Sequence, residues 1–202
     1  MIIKDNKTEV PLEHYKEQFA VADPVSMAGK SGVEFKDGAF WTVFLGRPVK
    51  LLWPEMDCFY LDDGSKASAS AAILFTRLVM NGVLAPKDAA MISYPQIPWG
   101  EQYRAQFFGL CNMRLARSFG NDLAAFEAAA EKIGAKKIPG ADSSVEFELF
   151  PGICVRILIW KGDEEFDSSA QVLFSKNILA AFDANDVAHA SIIFIDAMKG
   201  RW

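Results

Sequence analysis

Val145-Glu146-Phe147-Glu148-Leu149-Phe150-Pro151-Gly152-Ile153-Cys154-Val155-Arg156-Ile157-Leu158-Ile159-Trp160 is the stretch on which the fold of this chain turns. Val145, Phe147 and Leu149 alternate with Glu146 and Glu148, the two-residue period of a strand with one wet face. Pro151-Gly152 supplies a turn, and Ile153–Trp160 is apolar on both faces apart from Arg156, which predicts a central strand covered on each side. Two such strands joined by a short turn pair antiparallel.

Downstream, Gln171–Phe174 extends the sheet. Asp186–Met198 follows as a helix, with Asn185 as its cap and Val187, Ser191, Phe194 and Met198 facing inward. Upstream, a helix beginning at Asp122 aligns Leu123, Phe126, Ala130 and Ile133, and an earlier one places Tyr103, Phe107, Leu110, Cys111 and Arg114 on one face. Val83–Gly100 holds Pro86, Pro95 and Pro98, whose fixed φ and missing N–H groups predict a structured loop without regular elements. Ser65–Asn81 has a helical stripe of Ala71, Leu74, Phe75, Leu78 and Val79, ended by Asn81-Gly82 in the left-handed conformation. Val33–Trp53 is a second strand block: Asp37-Gly38 makes a hairpin turn, Gly46-Arg47-Pro48 a second, and Pro54 stops the third strand. Pro11–Ala20 forms a short helix with Leu12, Tyr15 and Phe19 on one side, and Pro24 marks a boundary beyond it. Strands and helices come in blocks, which predicts an α+β fold with mostly antiparallel sheet and helices packed against it. The simplest organisation is one domain over 1–202, with 1–30 as a helical extension and 31–202 as its body.

The chain of 202 residues is long enough to build its own core, and 51% hydrophobic with 23% charged residues is an ordinary globular composition. A net charge of −5 and scattered Lys and Arg argue against nucleic acid as a partner, because that grip comes from clustered cations releasing counterions. Cys58, Cys111 and Cys154 lie far apart, with no Cys-x-x-Cys spacing, and are expected to be reduced and mostly buried. The first residues turn polar at once, and the apolar runs near Ala71–Phe75 and Ile192–Ile195 fall short of the ~20 residues a membrane span requires, so a cytoplasmic protein with no membrane contact is expected.

Three segments carry chemistry. Ala28-Gly29-Lys30-Ser31 contains the Gly-Lys-Ser of a phosphate loop, but its first glycine would fall at Pro24 and a strand follows Gly32, so a flexible turn is the better reading. Gly162-Asp163-Glu164-Glu165-Phe166-Asp167 packs carboxylates after an apolar strand: Asp163, Glu164 and Glu165 either converge on a cation or a transferable proton, or form a solvated turn. It lacks the alternating spacing of a calcium loop. Tyr94-Pro95-Gln96-Ile97-Pro98-Trp99-Gly100-Glu101-Gln102-Tyr103-Arg104 combines flat apolar surfaces with Glu101 and Arg104 as polar anchors for a small ligand, the alternative being a loop stapled to the core. Trp53 and Trp160 suit either role. His14 and His189 are too few for a multi-histidine metal centre and suit surface or capping positions, and no metal ligands are assigned. A Cys–His pair assembled across the sequence is the reactive alternative to structural thiols.

Met91–Tyr103, together with Leu158-Ile159-Trp160-Lys161-Gly162-Asp163-Glu164-Glu165-Phe166, resembles the DUF3786 family, with further support from Gln171–Phe174 and Ala71–Gly82. The likeness runs from about Val33 to Val187, and Trp-x-Gly-Asp-Glu-Glu-Phe is its most specific part. The resemblance implies a setting in anaerobic bacteria and archaea, near redox or cofactor metabolism, where some members carry an added cysteine-rich iron–sulfur segment. Three dispersed cysteines do not supply the clustered thiolates of such a centre. The resemblance defines no catalytic residues and no cofactor. The leading expectation is a small-ligand-binding or accessory domain, with the ligand touching Tyr94, Trp99, Glu101, Tyr103, Arg104, Trp160, Asp163, Glu164 and Glu165 as neighbouring walls of one pocket. Two alternatives stand beside it: a metal-assisted or acid–base enzyme using the 163–165 carboxylates, and a protein–protein interaction module.

Overall fold

The structure, a computed structural model, describes residues 9–82 and 90–202. These fall into two compact units, one within Met1–Val43, Arg47–Ala85 and Ala180–Phe182, the other within Phe44–Gly46, Pro86–Leu179 and Asp183–Trp202. The fold is α+β with two antiparallel sheets, one of four strands in chain order and one of five.

The first sheet comprises β1 (Glu34–Lys36), β2 (Ala39–Phe44), β3 (Arg47–Leu52) and β4 (Cys58–Tyr60). Asp37 and Gly38 both take positive φ (53° and 73°), the hairpin turn whose twist matches its strands. The next turn is Leu45-Gly46 and not Gly46-Arg47-Pro48: Arg47 already lies in β3. β4 has no counterpart in the sequence reading, because three residues are too few to display a period. Helices α1 (Glu9–Val21), α2 (Pro24–Ser31) and α3 (Ala69–Asn81) complete this unit, with Phe19, Phe40, Leu51, Leu74 and Phe75 fully buried. Pro24 is the expected boundary beyond α1, and it is also the first residue of α2, where a missing N–H costs nothing. The Asp23 carboxylate caps that helix by accepting from the Ser26 N–H at 2.9 Å, and Gly32 ends it at φ 68°. Gly29-Lys30-Ser31 is thus helical and not a flexible turn, and it sits at the C-terminal, partially negative end, opposite to what a phosphate loop needs.

The second sheet comprises β5 (Met91–Ser93), β6 (Lys136–Lys137), β7 (Ser143–Phe150), β8 (Ile153–Trp160) and β9 (Ser169–Ser175). β8 is central, as its composition predicts. Only Ile153, Val155, Ile157 and Ile159 are buried, however, while Cys154, Arg156 and Leu158 are half-covered, so one face packs and the other is partly wet. Arg156 is satisfied there by Glu146, directly across on β7, at 2.6 Å. β5 corrects the expectation of an irregular loop before Gly100, since Met91 and Ser93 pair with Ser175 and Leu173 at the sheet edge. Pro86 lies outside the described residues.

Helices cover the buried face: α4 (Arg104–Phe107), α5 (Met113–Phe119), α6 (Leu123–Glu131) and α7 (Ala184–Met198). Val187, Ser191, Phe194 and Met198 of α7 are buried as predicted, but the cap is Asp183, not Asn185. The Asp183 and Asp186 carboxylates each accept from the other's backbone N–H at 3.0 Å, and that reciprocal pair outcompetes the Asn185 amide. Among the described residues no helix is long and apolar enough to cross a membrane.

Candidate functional site

The Tyr94 segment is built from tight turns. After β5, Tyr94–Gln96 forms one turn of 3-10 helix, in which Pro95 loses no bond and the Gln96 side-chain oxygen accepts from the Ser93 N–H (2.8 Å) and hydroxyl (3.1 Å). Trp99 takes a left-handed φ of 68°, uncommon for a bulky residue, and Gly100 follows because a Cβ there would stand 2.0 Å from the Tyr94 carbonyl oxygen. Tyr94 and Ile97 are buried by this folding, and the Tyr94 hydroxyl donates to the Ala184 carbonyl at 3.1 Å.

The chain next runs as one continuous helical path from Arg104 to Phe119, but Phe108–Asn112 within it is a π turn. The wider turn accommodates one residue more than an α turn, so the large buried side chains fall at Phe107, Cys111, Leu115 and Phe119, every fourth residue. A uniform 3.6-residue period puts Tyr103, Leu110 and Arg114 on the same face, and the structure instead leaves Tyr103 and Leu110 exposed and Arg114 half-buried.

Between the Tyr94 turn, the π segment and α7 lies a cavity of about 270 Å³, just below the ~300–1,000 Å³ of small-molecule sites. Its aromatic wall is the Tyr94–Phe107 pair, stacked with ring centroids 3.9 Å apart and planes 6° apart. Leu110, Ala188 and Ile192 add apolar surface, while Tyr103, Gln106, Asn185 and His189 bring polar groups. His189 Nδ1 lies 2.9 Å from the Asn185 carbonyl, which can only accept, so Nδ1 carries the proton and Nε2 is left for another partner. Cys111 lies fully buried against the cavity. Burial pushes its thiol up to about 12 against the opposing hydrogen bond with Ser191, so it remains a thiol at neutral pH and is no nucleophile. Burial likewise raises Tyr94, whose hydroxyl remains a donor. This set of polar groups orients a ligand by hydrogen bonds around a flat apolar surface.

Of the ligand contacts expected from sequence, the cavity unites Tyr94 and Tyr103, and it also brings in Cys111 and His189. Trp99 is 71% exposed, and Arg104 pairs with Glu101 at 3.6 Å in open solvent, a pair too screened to anchor anything. Trp160 ends β8 opposite Ser169 and is partly exposed; neither it nor the 163–165 carboxylates line this cavity. The acidic segment has its own local logic. Gly162 has no room for a Cβ, which would sit 2.7 Å from the Ser168 nitrogen, and Asp163 Oδ1 accepts from the Glu165 and Phe166 N–H groups at 2.9 and 2.8 Å. Those bonds hold Asp163 below the usual carboxylate range, the reverse of the rise that proton transfer at neutral pH demands. Glu164 and Glu165 are exposed, and among the described residues no group of three or more His, Cys, Asp or Glu side chains is arranged to hold a metal ion.

Sequence reasoning missed Gln106, Phe107, Leu110, Asn185, Ala188 and Ile192 as a site. The signal was present on α7, where Asn185, Ala188, His189 and Ile192 make an i, i+3, i+4, i+7 stripe beside the core stripe. A family model described as "Domain of unknown function (DUF3786)" matches residues 23–197. No curated protein and no solved structure matches the chain.

Proposed function

The chain belongs to the DUF3786 family, and from there we propose that it is a small-ligand-binding or accessory protein whose site is the cavity between the Tyr94 turn, the π segment and α7. We place that role in the cytoplasm, in anaerobic redox or cofactor metabolism. The observation that carries the reading is the stacked Tyr94–Phe107 wall facing Asn185, Gln106 and His189. A flat body lies on the rings while amides and an imidazole nitrogen fix its edge. The carboxylate enzyme has no comparable observation in its favour, because Asp163 is occupied within its own turn.

The test is native mass spectrometry of protein purified without oxygen, followed by thermal shift with flat heteroaromatic cofactors and metabolites. Expected is a co-purifying mass or a saturable rise of roughly 3–6 °C at ten times Kd. Ala188→Phe, which fills the cavity from α7, abolishes that rise. A panel without any response, or a response that survives Ala188→Phe, refutes the assignment.

A further inference from the structure

Leu110 and Ile192, at the edge of the cavity, also line a second recess of about 410 Å³ whose remaining walls are Gly109, Arg114, Arg117 and Ser118. The two hollows are therefore contiguous across one apolar ridge. Arg114 and Arg117 line the second one, and Lys199 meets its edge at Ser118, in a chain whose net charge is −5. Arg114 and Arg201 donate to the same Asp196 oxygen, at 2.5 and 2.7 Å, and the Lys199 ammonium donates to the Ser118 hydroxyl at 2.5 Å. Arg117 is exposed and makes no ion pair among the described residues. Arg114 and Arg201 thus share one carboxylate, Lys199 is held by a hydroxyl and Arg117 makes no ion pair among the described residues, and each guanidinium has five N–H donors of which Asp196 engages few. Lys199 is pulled below the usual lysine range by burial and by Arg114 and Arg201, as expected where cations crowd without enough counter-charge.

We infer that this recess binds the terminal phosphate of a small molecule whose flat body occupies the adjoining cavity. The excess of cations exceeds what one carboxylate neutralises, and guanidinium groups beside an ammonium match the several oxygens of a dianion. The flat half of this ligand rests on the cavity reading above; the phosphate half stands on Arg114, Arg117, Lys199 and Ser118 and is tested alone.

The experiment titrates inorganic phosphate into the full chain at constant ionic strength, read by thermal shift and calorimetry. Expected is a saturable rise that chloride does not reproduce and a Kd about tenfold weaker in Arg117→Ala, the loss of one charge-assisted contact. Arg117→Ala leaves the phosphate-free midpoint unchanged, because its side chain is exposed and makes no ion pair among the described residues. The inference is overturned if phosphate gives no rise beyond chloride, if acetate matches phosphate, or if Arg117→Ala with Lys199→Gln binds phosphate as tightly as the parent. Ala188→Phe separates the two assignments: it closes the cavity and leaves the phosphate response intact. Should the heteroaromatic panel fail while phosphate binds, the cavity reading falls and the phosphate site stands.

Discussion

Phe107→Ala tests the wall on which the cavity depends. Phe107 is 5% exposed, stacks on Tyr94, and meets Phe174 edge-on with centroids 6.2 Å apart. Truncating a buried phenylalanine costs about 3–5 kcal/mol, through lost transfer energy and the hole left behind. For a chain of this size each kcal/mol moves the thermal midpoint by about 2–4 °C, so a fall of roughly 6–20 °C is expected. Tyr94→Phe is the matched control, because it keeps the stack and loses only the hydroxyl's bond to the Ala184 carbonyl, worth about 1 kcal/mol. Urea denaturation checks both, with the midpoint falling and the slope constant if packing alone has changed. The hole in Phe107→Ala adjoins the cavity, so saturating indole restores part of the lost midpoint there and not in Tyr94→Phe. If Phe107→Ala destabilises no more than Tyr94→Phe, the ring is not packed as described and the cavity has no aromatic wall.

Cys58 and Cys111 are both pushed up to about 12 by burial, so roughly one thiol in ten thousand is ionised at about pH 8 and Ellman's reagent labels them only after unfolding; rapid labelling of either in the native chain contradicts that burial. Asp63 is held down to about 2 from 3.8, chiefly by the Ser65 hydroxyl and backbone N–H and then by Arg47. Its contribution is present above the unfolded value and disappears as pH falls through the folded one, so Ser65→Ala is less stable than the parent at about pH 5 and the deficit shrinks toward about pH 2. A deficit of the same size at both values, read by urea midpoint, rules out this origin. Gly162→Ala forces the 162–168 turn open by placing a Cβ 2.7 Å from the Ser168 nitrogen, costing about 1–3 kcal/mol and raising amide exchange at Glu165 and Phe166; unchanged protection there means the turn does not need glycine.

Much of the fold was legible because long periods survive in long elements. The alternation of Val145, Phe147 and Leu149 and the inward set of α7 both stand in the structure. What escaped was decided at single residues. Pro24 marks the expected boundary, but that it also opens a second helix depends on the Asp23 carboxylate reaching the Ser26 N–H. β5 is edge pairing with β9, a tertiary fact its three residues do not announce. The site was half legible. Tyr94 and Tyr103 stood out as aromatics in a proline-rich loop, whereas Phe107 and Leu110 fall with Tyr103 on one predicted helical face that reads as packing, because a helical stripe does not distinguish a core face from a cavity wall. The acidic run drew attention by composition, yet its aspartate completes a turn.

Phe107, Cys111, Leu115 and Phe119 stand four residues apart across the π turn. Remove one residue from the π turn, for instance Gly109, around which no atom crowds, and these four fall three, seven and eleven positions apart, the stripe of an ordinary α-helix turning about 100° per residue. The packed face therefore does not require the extra residue. It is an insertion that the helix absorbs without disturbing what lies beneath, and its visible product is the outward placement of Leu110, the ridge common to both hollows. In this helix the length of the chain and the shape of the site are set by the same residue.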